Sequence, residues 1–398
     1  MLFREISEEE YKKVSEEVAC KNFFQTTLML NRYKKENKKF YLVGVEDNKK
    51  VIAATMLVVE NNVFNAYKGP LLDYNNTKLL DFFLNELTKF VKEHNGILLY
   101  IDPYIPNVSR DTDGNITNDV DNRQVANKIK KLGYKYIGEY TQVKWNYCLD
   151  INGLSSEEIF KSFKPNTRNN INKTLNKYLL NVRKLSYDEL SEFKQITLDT
   201  CKRRGFPDKE LSYYQDMYNA FGKDVVFYIC ELDIPKYINK LEEEININTE
   251  KINELSDSVS NRNKKESYKQ INDSNTKKIK EIKEIQKEKG DILPLSCAMF
   301  ILFGDEIVYL FSGSYDEYME FLGQYRLQWE IIKYACDNNY KRYNFYGIKD
   351  LFNPKGKDYG VYEFKKGFSG YVEELLGTFV KPIGLTGYIK YLYRKIRK

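Results

Sequence analysis

Two strand-like runs, KDVVFYICELD ending at Asp233 and LPLSCAMFILF starting at Leu293, are separated by a stretch of different character. Over residues 234–289 the composition turns to Lys, Glu, Asn and Ile. Ile234, Ile238, Leu241, Ile245, Ile252, Leu255 and Val259 recur at steps of four and three, with one polar position at Asn248. This stepping is the seam of a helix that packs on another helix. SNRNKKES breaks the seam, and Ile271, Ile279, Ile282 and Ile285 resume it. Two helices of about 25 residues joined by a turn give an antiparallel coiled-coil arm about 35–40 Å long, at 1.5 Å per residue. The strands on either side belong to one sheet, so the arm is an insertion and not a linker between domains. Its lysines read either as a solvated face or as a docking surface for an extended anionic partner.

Around the arm the chain alternates strand and helix. MLFREI is a strand, followed by a helix capped by Ser7 with Glu10 three residues on. KFYLVGVED and KKVIAATMLVVE are strands joined by a turn, NNTKLLDFFLNELTKFVKEH is helical, and GILLYIDPY is a buried strand ending at Asp102-Pro103. From about residue 146 the plan repeats. SSEEIFKSFKPNTRNNINKTLNK and SYDELSEFKQITLDTCKRRG read as helices flanking an extended LNVRKLS. A hairpin turns at Gly304-Asp305, followed by the helix GQYRLQWEIIKYACDNN and the strand YKRYNFYGI. Hairpin, helix, strand is the order of an N-acyltransferase core. The fold class expected is α/β (α+β), with two acetyltransferase-like (GNAT-type) domains at 1–145 and 146–379, the arm at 234–289 inserted in the second, and 380–398 packing on the first.

The 398 residues suit two or three domains. Lys+Arg 63 against Asp+Glu 57 leaves a net charge of +6, too even for a nucleic-acid coat protein but compatible with a local basic groove. Cys20, Cys148, Cys201, Cys230, Cys297 and Cys336 are scattered without CxxC or Cys/His spacing, which points to reduced thiols, a cytoplasmic setting and no metal site. The single histidine, His94, sits at a helix end, where it serves the helix dipole rather than catalysis. No signal-peptide pattern opens the sequence, and no apolar run reaches the roughly 18–20 residues of a membrane span. The tail KPIGLTGYIKYLYRKIRK is a short basic amphipathic segment, either a packing helix or a foot on an anionic membrane.

No GxGxxG, Walker-type or HExxH motif is present. The loop after VYLFSGS lacks the glycine-rich turn that grips a coenzyme A pyrophosphate, which argues for another acyl donor. Three basic and aromatic clusters remain. FFQTTLMLNRYKKENKK carries Gln25 and Lys34 on a helix. FKPNTRNNINKTLNK carries Lys164, Arg168 and Lys173 around a helix start, where cations and free N–H groups favour phosphate. CKRRGFPDKELSYY carries Lys202, Arg203, Arg204 and Lys209, with Tyr213 one turn on. Beside them stands YGVYEFKKGFSG, which reads as a half-buried extended segment with Lys365 and Lys366 on opposite faces.

FKPNTRNNINKT, YLFSGSYDEYMEFLGQYRLQWEIIKYA, KRYNFYGI, GVYEFKKGFSG and EELLGTFVKPI, with YLVGVED, YKGPLLDY and IDPY…RDTDG before them, resemble the FemA/FemB/FemX aminoacyltransferases, the FemA/FemB branch most. The resemblance runs over nearly the whole chain, arm included. It implies transfer of an amino acid from aminoacyl-tRNA to an amine of a peptidoglycan precursor, lipid II or UDP-MurNAc-pentapeptide. It also implies a place in the cytoplasm at the inner face of the plasma membrane, with association among family members open. Glycine, from glycyl-tRNA, is the amino acid implied by the branch. No cofactor is implied beyond the tRNA co-substrate, and the arm is the implied tRNA contact. The family's substrate lysine corresponds to Lys34, and its arginine and tyrosine pair to Lys209 and Tyr213. The departure to lysine loses a bidentate phosphate clamp. A strand tyrosine corresponds to Tyr309, a second to Phe311 without its hydroxyl, and the channel pair to Phe364 and Lys365. Asp102 is the substrate-side aspartate, with Tyr104 and Arg168 as further substrate contacts. Lys365 is the implied catalytic cation for the oxyanion or the tRNA phosphates, and Asp102 the group that orients or deprotonates the amine. A CoA-dependent N-acyltransferase and a non-catalytic scaffold are the alternatives.

Overall fold

A computed structural model describes residues 1–140, 142–256 and 258–396. Its core is a pair of twisted sheets with helices on their faces, a mixed α/β architecture as the alternating pattern implies. The first sheet has seven strands, ordered Leu2–Glu5, Lys39–Asp47, Lys50–Glu60, Val63–Ala66, Leu98–Ile101, Thr378–Pro382 and Lys135–Gly138. The second has nine, ordered Asn181–Lys184, Val225–Asp233, Ile292–Phe303, Glu306–Ser314, Arg342–Gly347, Trp145–Asp150, Tyr371–Leu375, Pro106–Arg110 and Ile116–Asp121. Each sheet contains one parallel pair, and in each that pair is linked by a helix. Val63–Ala66 reaches Leu98–Ile101 through helix Thr77–Glu93, and Glu306–Ser314 reaches Arg342–Gly347 through helix Gly323–Asp337. Parallel neighbours need such a crossover, so the two lobes share one plan.

Helix Thr77–Glu93 shows why the crossovers form. Asn76 accepts the amide of Leu79 at 3.1 Å and caps the helix. Leu79, Leu80, Phe83, Leu84, Leu87, Phe90 and Val91 then fall on one buried face. Each contributes about 1.5–3 kcal/mol of apolar burial. His94 closes the helix, its Nδ1 2.8 Å from the Phe90 carbonyl. At the start of the chain the Ser7–Glu10 capping box forms in both directions.

The sheets interleave along the sequence. Residues 106–121 pair into the second sheet, and Thr378–Pro382 returns to the first. A core shared by both lobes joins Tyr11, Phe23, Met29 and Leu30 to Phe193, Tyr214, Phe227 and Met299.

Asp233 pairs with Ile292 at the base of the inserted arm. Helix Ile234–Glu254 packs against helix Val259–Lys289. Ile234, Tyr237, Ile238, Leu241 and Ile282 are buried at the base, while Ile247 and Ile271 further out are exposed. The turn falls earlier than the seam implied. SNRNKKES is helical, because Ser258 accepts the Asn261 amide and starts the second helix there.

Two further expectations need correction. The segment from Ser155 to Lys177 is not one helix. Pro165 holds Lys164 extended, at φ −57° and ψ 146°, and splits the segment into Ser156–Ser162 and Pro165–Asn172 followed by a π-turn. YGVYEFKK is not extended but a helix, Tyr359–Lys366. Its buried residues, Tyr362 and Lys365, are three apart, the spacing of one helix face.

Candidate active site

The Lys365 ammonium is 4% exposed and donates to two consecutive carbonyls, Gly347 at 2.7 Å and Tyr346 at 3.3 Å. Successive carbonyls of a strand point in opposite directions. Here Tyr346 has φ 62°, a left-handed conformation that brings both to the same side. The helix that carries Lys365 is fixed from the other lobe's sequence. The Tyr362 hydroxyl donates to the Thr112 carbonyl at 2.7 Å, and Lys366 pairs with Asp113. Lys366 is thus a structural cation. The Tyr309 ring lies 5.9 Å from the Lys365 nitrogen, and its hydroxyl donates to Gln324 Oε1 at 3.0 Å and shares a hydrogen bond with Ser312 Oγ at 2.6 Å. Burial, with the charge of Arg204 adding to it, lowers the Lys365 pKa to about 7.

Strand Arg342–Gly347 connects this end of the site to a cavity of about 470 Å³ between the lobes. Arg342 lies at the cavity and Gly347 roughly 16 Å away at 3.3 Å per residue. Cys20, Asp73, Tyr104, Glu306, Arg342 and Glu373 are among the cavity's walls; Lys365 and Asp102 are not. Its charged groups answer one another. Arg342 pairs with Glu306 at 2.9 Å and Glu373 at 2.7 Å, and donates to the Tyr104 hydroxyl at 3.0 Å. A polar path runs back along the strand. Asn344 Nδ2 donates to Tyr104 at 3.5 Å, Asn344 Oδ1 accepts the Tyr346 amide at 2.7 Å, and the Tyr346 carbonyl accepts Lys365.

Asp102 is 3% exposed and faces Lys68 Nζ at 3.6 Å, longer than a hydrogen bond. Lys68 gives its hydrogen bond to the Val143 carbonyl at 2.7 Å and sits 5.8 Å from the Tyr104 ring. Burial raises the Asp102 pKa, and Lys68 only partly opposes it. Asp102 and Tyr213 both lie near enough to Tyr346 to help burial raise its phenol.

The structure therefore gathers Lys365, Tyr309, Tyr104, Asp102 and Tyr213 around one strand. Phe364 turns away, packing on Tyr325 with ring centres 5.0 Å apart. Lys34 is exposed and paired with Glu8. Arg168 donates to the Lys161 carbonyl at 3.3 Å on the surface. Lys209 is exposed, 5.2 Å from the Tyr213 ring. Arg32 also lies over that ring, 4.4 Å from its centre; it is 9% exposed and paired with Glu36. Its Nε has no hydrogen-bond partner among the described residues.

Sequence reasoning missed Arg32, Lys68, Arg342, Asn344 and Tyr346. A signal existed for the last three. In KRYNFYG, Arg342, Asn344 and Tyr346 alternate with Tyr343 and Phe345, so one face of a strand is polar and the other is core. Lys68 is the lone cation of YKGPLLDY, and Arg32 lies on the apolar side of its helix.

The FemAB family model matches residues 6–395. Aminoacyltransferase FemA of Staphylococcus epidermidis is 31% identical over 417 residues, covering 100% of this chain and 99% of the relative. Aminoacyltransferase FemA of Staphylococcus aureus is 30% identical over 410 residues, covering 98% and 97%. The crystal structure of FemX superposes with a TM-score of 0.75 at 20% identity, over 100% of both chains. That likeness extends to the two-lobed fold.

Proposed function

The chain belongs to the FemAB family and is an aminoacyltransferase, and from that premise we propose that it lengthens the interpeptide bridge of a peptidoglycan precursor from aminoacyl-tRNA. The observation that carries the reading is the desolvated amine of Lys365, held between two carbonyls at the end of the central strand. The reaction is aminolysis of an ester. An acceptor amine with a free pKa near 10 is almost wholly protonated at neutral pH. Lys365, lowered to about 7, is neutral often enough to take that proton. The nitrogen then attacks the ester carbon, the tetrahedral oxyanion forms, and the bond to the ribose oxygen breaks. The protonated Lys365 returns its proton to that oxygen, and the nitrogen sheds its second proton to solvent as the amide forms, so one proton is released per transfer. Because the amine is 4% exposed, the substrates meet it only by displacing groups that now surround it.

Tyr104 and the Glu306–Arg342–Glu373 network orient the strand that presents the two carbonyls. Asp102, kept from donors by burial, sets the field near Tyr346 and the approaching amine. Tyr213, with Arg32 and Lys209 about it, forms the rim for a phosphate-bearing substrate. Glycine as the transferred residue, a lipid II-type acceptor and work at the inner face of the plasma membrane are part of this proposal, and the full-length likeness to staphylococcal aminoacyltransferase FemA supports it. Incubation with mixed charged tRNAs and lipid II, read by mass spectrometry, tests the reading. A product heavier by one glycine supports it. Thiol release from an acyl-CoA, with no transfer from tRNA, overturns it.

A further inference from the structure

Helix Gly384–Ile396 presents its apolar face to the outside. An amphipathic helix on a globular protein normally turns that face to the core. Here Leu385 is 79% exposed, Ile389 59% and Leu392 52%. At 100° per residue these three fall within one narrow arc, with the half-exposed Tyr388 and Tyr393 on its two sides.

The helix is not loosely attached. Gly387 lies so close to the first sheet that a Cβ would meet the Ile97 carbonyl at 2.1 Å. Tyr391 packs with Val63, Leu98, Tyr100 and Val380, and Arg394 donates to the hydroxyls of Tyr100 and Tyr140. The inner side is therefore fixed by contacts, and the outer stripe is held away from the core.

Charge identifies what the stripe fits. After Glu374 the sequence contains no Asp or Glu, but it contains Lys381, Lys390, Arg394 and Lys395, and then Arg397 and Lys398 beyond the described residues. A second copy of the helix would set these cations against their own kind. An apolar stripe with tyrosines at its margins, on a helix whose charged residues are all cations, matches the boundary between acyl chains and anionic headgroups. No described helix is long and apolar enough to cross a membrane, so such a helix lies in the surface. We propose that helix Gly384–Ile396 is the foot by which this protein rests on an anionic phospholipid bilayer. This deepens the membrane-face location given above, and its test needs no transfer activity.

The test is co-sedimentation of the full chain with vesicles of phosphatidylcholine alone or mixed with phosphatidylglycerol. The wild type is expected to pellet with the mixed vesicles at least about tenfold better, and less so in high salt. Leu385→Ser/Ile389→Ser/Leu392→Ser should lose about tenfold of that binding with an unchanged circular dichroism spectrum and melting temperature. Lys390→Ser/Lys395→Ser should weaken binding and flatten its salt dependence. Wild-type binding by the triple-serine variant would overturn the foot while leaving the membrane location intact. Failure of the wild type to bind would overturn both, and transfer to a soluble acceptor would still report on the chemistry. A dimer seen in sedimentation velocity and lost in the triple-serine variant would also overturn the proposal, assigning the stripe to self-association.

Discussion

Lys68 and Asp102 face each other at 3.6 Å inside the protein, and neither Asp102 oxygen accepts a hydrogen bond among the described residues. Removing one partner strands the other. Lys68→Met should cost roughly 3–5 kcal/mol, and Lys68→Met/Asp102→Leu should recover most of it. Urea denaturation of the two variants measures the coupling; equal losses would mean the pair is not coupled.

The same carboxylate gives a pH signature. Burial raises its folded pKa, so the fold binds this proton more tightly than the unfolded chain does. The favourable contribution of the protonated form is present below the unfolded value of about 3.9 and fades as pH rises towards the folded pKa. The stability advantage of Asp102→Asn over wild type should therefore widen as pH climbs from about 4. A constant gap would rule the assignment out.

For Lys365 the sign is reversed in origin. Its folded pKa, about 7, lies below the ordinary lysine value of 10.5, so between these values the unfolded chain holds more protons. Wild-type stability should rise with pH across that window relative to Lys365→Met. Transfer by the wild type should increase through pH 7 as the amine becomes neutral. Lys365→Met should lose about 10²–10⁴ in kcat. Lys365→Arg, which stays charged, should not rescue it. A flat pH profile in single-turnover transfer would exclude Lys365 as the proton acceptor.

Arg32 and Lys34 share a helix but not an environment. Lys34→Ala breaks an exposed pair with Glu8 and should change stability by less than about 1 kcal/mol, with transfer near wild type. Arg32→Ala removes a buried guanidinium from the Tyr213 ring and should cost about 1–2 kcal/mol while raising KM for the phosphate-bearing substrate. The opposite order of effects in steady-state kinetics would return the role to Lys34.

The arm offers a separable test. Its buried side chains cluster at the base, so replacing residues 245–275 with a short turn should leave the melting temperature of the body unchanged. KM for aminoacyl-tRNA should rise, and transfer from a small aminoacyl ester should not change. Equal loss with both donors would show that the arm acts through the fold.

Local signals made much of the architecture legible. The seam from Ile234 to Ile285 announced the arm, and the capping box at Ser7 and Glu10 announced the first helix. The strands at 106–110 and 116–121 went unread, because NVSRDTDGNITNDVD is polar and gains its pairing from Tyr371–Leu375, far along the chain. YGVYEFKK was read as extended, with Lys365 and Lys366 on opposite faces, although Tyr359 and Tyr362 already stand at helical spacing. Tertiary packing of Tyr362 and Lys365 on one side selects the helix instead. Within the site, Lys365 stood out as a cation among aromatics. Lys68 and Arg32 did not, since only the fold shows that their surroundings exclude water.

Strand Thr378–Pro382 fills the slot between Leu98–Ile101 and Lys135–Gly138, although it is made long after both. A nascent chain emerging from the ribosome therefore carries an N-terminal lobe with two open strand edges until its late segments are translated. Premature termination before that strand would yield a substrate for chaperones and proteases, since the missing piece is an interior strand of the lobe made first.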